Sequence, residues 1–229
     1  MAMTKKQFVE QVARPAIQLK VGGFRPTDNP LSSWVGKVLL AGEGQVWPYW
    51  KGVAMYPLCQ LNLDEFLFKP PLLSDVAFLT VFISAQSIPD SGDLNGTSWC
   101  LRTYKAEDKL VPLASVPTTS PIKPFQVMPE VIKQDFPYVD DCPIPILAKF
   151  EDDYYKIFPN AGGIKFGGWP TLIQSEIEWQ TPGGLTDIEF AFQIDSIEKA
   201  RLQWGDNGVA YFGRSKSNPD EWAFSWQSY

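Results

Sequence analysis

The chain of 229 residues contains no histidine. That absence excludes Ser-His-Asp and Cys-His nucleophile systems, an imidazole general base, and any His-containing zinc or iron site. Cysteine is sparse: Cys59, Cys100 and Cys142 are an odd number without CxxC spacing, so reduced thiols are expected, with no disulfide framework, metal knuckle or cofactor. Arg102 lies two residues from Cys100, which is too weak a signal for an activated thiol. Long apolar runs are missing too. The longest, Leu72 to Ile83, is too short to span a bilayer and contains Asp75. At the N-terminus, Lys5 and Lys6 are followed by no apolar stretch, and Glu10 and Arg14 interrupt what comes next, so the expectation is a cytoplasmic protein without a secretory signal.

Two glycine pairs, in "KVGGFRP" (20 to 26) and "KFGGWPTLIQ" (165 to 174), fall in neither a GxGxxG nor a GxxxxGK[ST] frame, and no helix pattern follows them. They read as bends that launch extended segments, with Phe24 and Trp169 as lids on the core edge. The carboxylates of "YVDD" (138 to 141) and "EDDYY" (151 to 155) could serve glycoside chemistry or a hard cation, but neither stretch matches an ordered ligand loop; solvated acidic loops are expected.

What is abundant is aromatic, proline and glycine content: nine Trp, 20 Pro and 17 Gly favour many short strands over long helices. Thr4 and Gln7 form a capping-box pattern, and Phe8, Val9 and Val12 follow at helical spacing, predicting one short N-terminal helix stopped by Pro15. Strands are predicted at 17–21, 34–40, 56–62, 76–83 and 98–104. In the second half, "IEFAFQI" (188 to 194) alternates Ile188, Phe190, Phe192 and Ile194 against Glu189, Ala191 and Gln193; "SEIEW" (175 to 179) alternates likewise. Strand-like runs at 209–213 and 222–226 follow. Between the halves, residues 111–147 carry eight prolines and read as a connector, with at most one helical turn near Pro129.

The halves resemble each other. The glycine pairs, "PLCQLNL" around Gln60 with "FAFQIDS" around Gln193, and "VAFLTVF" with "GVAYF" recur in the same order. The predicted fold is therefore mainly β with minor α (α+β): a single domain of antiparallel sheets, internally duplicated as units of about 17–110 and 148–229.

Net charge is −6, unevenly spread: residues 130–195 hold twelve acids and four lysines, a balance of −8, while the rest balances to +2. An acidic surface repels nucleic acid and anionic membranes and attracts basic proteins.

The set "VGGFRP", "WPYW", "PLCQLNL", "FGGWPTLIQ", "FAFQIDS", "WGDNGVAYFG" and "FSWQSY" resembles the YwqG-like family of bacterial cytoplasmic proteins over most of residues 17–229, with a departure around residues 41–50. The resemblance implies a duplicated β fold and brings no catalytic residues; some relatives look like immunity proteins against secreted bacterial toxins. The expected function is non-enzymatic: binding and occlusion of a cognate toxin, a basic protein such as a nuclease. The candidate contacts are Asp140, Asp141, Glu151, Asp152, Asp153, Tyr154, Tyr155, Trp169, Glu176, Glu178 and Glu189, because desolvated aromatics beside charge anchor interfaces. The alternative is a small-ligand binder or enzyme using a cleft between the repeats, with Gln60 and Gln193 as equivalent polar groups.

Overall fold

A computed structural model describes residues 3–113, 119–146, 148–180 and 187–229. Helix α1 (Lys5–Val12) forms where the sequence places it, with both capping-box bonds between Thr4 and Gln7 and with Phe8 and Val12 buried. Only two further short turns of α-helix occur among the described residues, α2 (Ala148–Glu151) and α3 (Tyr154–Ile157). The protein is mainly β.

Its main sheet has ten strands. Five come from the first half: β1 (Arg14–Val21), β2 (Trp34–Val35), β3 (Tyr56–Asn62), β4 (Phe78–Ile83) and β5 (Trp99–Tyr104). Five follow: β6 (Phe125–Asp135), β7 (Ile164–Gly167), β8 (Ile188–Asp195), β9 (Val209–Ser215) and β10 (Trp222–Gln227). All pairings within it are antiparallel, in the order β10-β9-β8-β7-β1-β6-β2-β3-β4-β5. The first strand of each half therefore sits beside the second strand of the other half.

The sheet curls until its ends meet. Trp99 on edge strand β5 lies 6.1 Å from the ring of Phe212 and 5.7 Å from that of Phe224 on the opposite edge strand β10. One aromatic and aliphatic core thus fills a nearly closed, barrel-like sheet. The exposed edge of β5 is blunted locally: the Asn95 amide donates to Leu101 O and accepts from Leu101 N–H, occupying both groups that an added strand would need. Small clusters cover the outer surfaces, one around Trp47 and Phe82 and one where α1 packs Phe8 against Phe136, Tyr154 and Phe158. Strand β4 lies under the Trp47 cluster through Phe82, and β9 lies under the segment that brings Thr171 to Tyr211 and Trp179 to Gly213, so both strands are buried along their whole length.

Several expectations are corrected. The proline-rich stretch contains β6, the longest strand in the sheet, in place of a structureless connector or a helical turn. Pro129 lies within it opposite Leu19; there β6 is paired only with β1, because β2 reaches no further than Gln126, so a residue without an N–H is tolerated on the unpaired side. The predicted strand 34–40 breaks at Gly36, whose φ is +70° and where a Cβ would lie 2.6 Å from Lys123 O. "SEIEW" alternates in burial but joins no strand. In β8 a bulge between Phe190 and Phe192 breaks the alternation, leaving Ala191 buried and Phe190 half-buried.

The halves are also tied by an ion pair in which Arg214 Nη1 and Nη2 meet Asp75 Oδ1 and Oδ2 at 2.6 and 2.8 Å. This holds the Asp75 carboxyl below the ordinary carboxylate range, chiefly through the Arg214 hydrogen bonds. Its contribution is complete above that range and is lost as pH falls through the depressed value. Asp75→Asn is therefore expected to lose less stability than the wild type on acidification below about pH 4, read from urea unfolding at a series of pH values.

Candidate protein-binding groove

The loop that leaves β7 carries the second glycine pair. Gly167 and Gly168 have φ of +66° and +65°, and a Cβ on Gly168 would lie 2.4 Å from Asp135 Oδ2. The pair turns the chain hard across the end of the sheet. Gly168→Ala is expected to cost about 2–3 kcal/mol, seen as a lowered urea midpoint with unchanged slope.

A buried polar network then pins the loop. Asp135, at the end of β6, and Lys165, in β7, form a fully buried ion pair at 3.1 Å, with both side chains 0% exposed. Asp135 also accepts from the N–H groups of Ala161 and Trp169 at 2.6 and 2.7 Å. Burial depresses the Lys165 pKa, with Asp135 opposing. Gln193 accepts from Thr171 N–H at 2.8 Å, Tyr211 donates to Thr171 O at 2.8 Å, and Gln227 accepts from the N–H groups of Ile173 and Gln174. Its amide donates to Ser175 O at 2.7 Å. Residues 169–175 are thereby fixed almost one by one.

This loop forms one wall of a surface groove of 470 Å³, lined by Leu172, Ile173, Gln174, Ser175 and Glu176. The opposite wall consists of Tyr138, Asp140 and Asp141, with Tyr155 from α3. The rings of Tyr138 and Tyr155 meet edge to face at 5.6 Å. A smaller polar groove, which shares Gln174, Ser175 and Glu176, continues past Glu178 to Trp226. Among the described residues no cation lies within ion-pair distance of Asp140, Asp141, Glu176 or Glu178. Burial raises the Asp141 pKa, and the neighbouring charges of Glu176 and Asp140 add to the rise. Asp141 thus feels the charges of Glu176 and Asp140, and among the described residues no ion pair offsets them.

Of the candidate contacts, the structure brings Asp140, Asp141, Tyr155 and Glu176 together on this groove and sets Glu178 beside it. Glu151, Asp152 and Asp153 are exposed around α2 and α3, with Asp153 paired to Lys156 at 2.6 Å. Tyr154 is a correction: it is 1% exposed, it packs against Phe8 and Phe158, and its hydroxyl donates to Pro137 O, so it cannot touch a partner. Adjacent positions of a helical turn point about 100° apart, and it is the packing on Phe8 and Phe158 that turns Tyr154 inward while Tyr155 stays exposed. Trp169 is half-buried under Arg14, with its Nε1 donating to Val12 O. Glu189 is exposed but bound to Lys216 at 3.2 Å, away from the groove.

Tyr138 and Leu172 to Ser175 are the lining residues that sequence reasoning missed. Tyr138 directly precedes the acidic pair, and that adjacency was a usable signal; the loop residues carry no distinguishing chemistry. Gln60 and Gln193 do not reach a cleft. Both are 0% exposed, and Gln60 holds the N–H groups of Leu39 and Leu40 and the carbonyls of Pro30 and Ser32. Burial pushes the Cys59 and Cys100 thiols up, which makes them poor nucleophiles.

The class defined by these features is a mainly antiparallel β protein with an acidic, aromatic-walled groove. The family model for a domain of unknown function (DUF1963) matches residues 35–228, and the chain belongs to that family. No curated protein matches it. Among the described residues, no helix is long and apolar enough to cross a membrane.

Proposed function

We propose that the protein is a YwqG-like immunity protein of the bacterial cytoplasm, which binds a basic toxin such as a nuclease and blocks it without chemistry of its own. One observation carries this reading: Asp140, Asp141 and Glu176 converge, with Tyr138 and Tyr155, on a groove in which, among the described residues, none of the three carboxylates is in an ion pair. Leaving like charges together costs stability, so a basic partner that relieves the repulsion gains affinity and a faster encounter. The tyrosines supply rigid apolar area beside the charge, and the pinned loop presents its wall without an ordering cost on binding.

The test is calorimetric titration against the product of the adjacent gene, together with that product's activity with and without this protein. Saturable binding with loss of the partner's activity is expected. An adjacent product that neither binds nor loses activity overturns the reading.

We infer also that the two halves are copies of one unit. The sheet order supports this, since exchanging β1–β5 with β6–β10 reproduces it. Registers agree in detail. Trp34 lies opposite Gln60 as Lys165 lies opposite Gln193, and a bulge falls just before Cys59 in β3 and just before Phe192 in β8. On this register Gly167 corresponds to Gly36, which has φ of +70° against +66°, and not to Gly22. The likeness of the two Gly-Gly motifs is then a coincidence of turn chemistry, whereas the glutamines are true equivalents.

A further inference from the structure

We propose that the cleft where the two halves meet, remote in its lining from the acidic groove, binds an amphipathic monocarboxylate: an apolar body whose single carboxylate is received by Arg14. The cleft has a volume of 530 Å³, within the range of about 300–1,000 Å³ usual for ligand pockets. Its walls are mostly apolar, with Pro15, Phe68, Pro70 and Leu72 from the first half and Phe190 from the second. Gly167 and Gly168 line it with bare backbone.

Three charged side chains line the cleft, and two are already satisfied. Lys69 donates to Asp64 at 2.6 Å and to Val76 O at 2.8 Å. Glu189 is paired with Lys216 at 3.2 Å. Arg14 is different. Its guanidinium sits 3.4 Å from the centre of the Trp169 ring, and Trp169 is itself anchored through Nε1 to Val12 O and through its backbone N–H to Asp135. Among the described residues, Arg14 makes no hydrogen bond and no ion pair through its side chain. Stacking thus orients a planar, solvent-accessible fork of N–H donors beside apolar walls; Glu189 acts on its charge from within the cleft but makes no hydrogen bond or ion pair to it. A carboxylate matches that fork with two parallel hydrogen bonds, and the adjoining walls suit a hydrocarbon or aromatic body. An amine would meet the Arg14 charge, with the Glu189 carboxylate in the lining already paired to Lys216, and a neutral alcohol would fill only part of the fork.

The lining shares no residue with the acidic groove, so either proposal can fail alone. The test is ¹H–¹⁵N correlation NMR of the full chain titrated with 3-phenylpropanoate, 3-phenylpropanol and 3-phenylpropylamine. The expected result is a saturable shift of the Gly167 and Gly168 amides with the carboxylate, binding about tenfold weaker for the alcohol, and none for the amine. Arg14→Gln should weaken carboxylate binding about tenfold or more. Arg14→Lys, which keeps the charge but not the planar fork, should weaken it less. Glu189→Gln should bind at least as well as the wild type. The proposal is overturned if neither glycine amide shifts saturably, if acid and amine bind alike, or if folded Arg14→Gln or Arg14→Lys binds the carboxylate as the wild type does.

Discussion

Lys165→Met is expected to lower the unfolding free energy by about 3–5 kcal/mol, because it strands the Asp135 charge in a fully buried site. The lysine is surrounded by polar partners: besides Asp135 it reaches Asn160 Oδ1 at 3.3 Å and Thr171 Oγ1 at 3.2 Å. Methionine approximates the volume of the side chain but supplies none of those donors. The double variant Asp135→Asn/Lys165→Met should recover part of the loss, since it removes the unpaired charge while leaving an acceptor for Trp169 N–H or Ala161 N–H. Urea unfolding of the three proteins checks this. A double variant less stable than Lys165→Met would show that the ring of backbone donors around Asp135, and not the ion pair, dominates.

Gln60→Leu should be almost as damaging, at about 3–5 kcal/mol, although it places an apolar residue at a fully buried position. The Gln60 amide satisfies four backbone groups, namely the N–H groups of Leu39 and Leu40 and the carbonyls of Pro30 and Ser32. Each buried group left without a partner costs about 1–3 kcal/mol, and partial relaxation makes the sum smaller than four such costs. Thermal and urea unfolding measure it. A loss under about 1 kcal/mol would mean that segments 30–32 and 39–40 find other partners or water. Gln193→Leu should damage the second half in the same way, by freeing Thr171 N–H and removing a donor to Asp195.

Much of the fold was legible because its signals are local. The Thr4–Gln7 capping box, the strand at 56–62 and the core face of Phe192 and Ile194 follow from neighbours within a few residues. What escaped depends on contacts far apart in the chain. Proline density in 111–147 suggested a connector, yet β6 is held as a strand by β1, more than a hundred residues earlier. Gln193 sits at an outward position of β8 and is nonetheless buried, because the loop through Thr171 lies over it. The acidic pair Asp140–Asp141 was visible in sequence, but its meeting with Glu176 depends on that same loop. Tyr154 and Tyr155 are adjacent and chemically alike; only the packing of Tyr154 against Phe8 and Phe158 separates the buried one from the exposed one.

The most direct test of the groove as a docking surface uses the variant Asp140→Asn/Asp141→Asn/Glu176→Gln, titrated beside the wild type against the adjacent gene's product at low and physiological salt. The variant is expected to retain the wild-type melting temperature or exceed it, to bind about tenfold or more weakly at low salt, and to lose most of the salt dependence of association. Equal affinity and equal salt dependence for the two proteins would contradict the account.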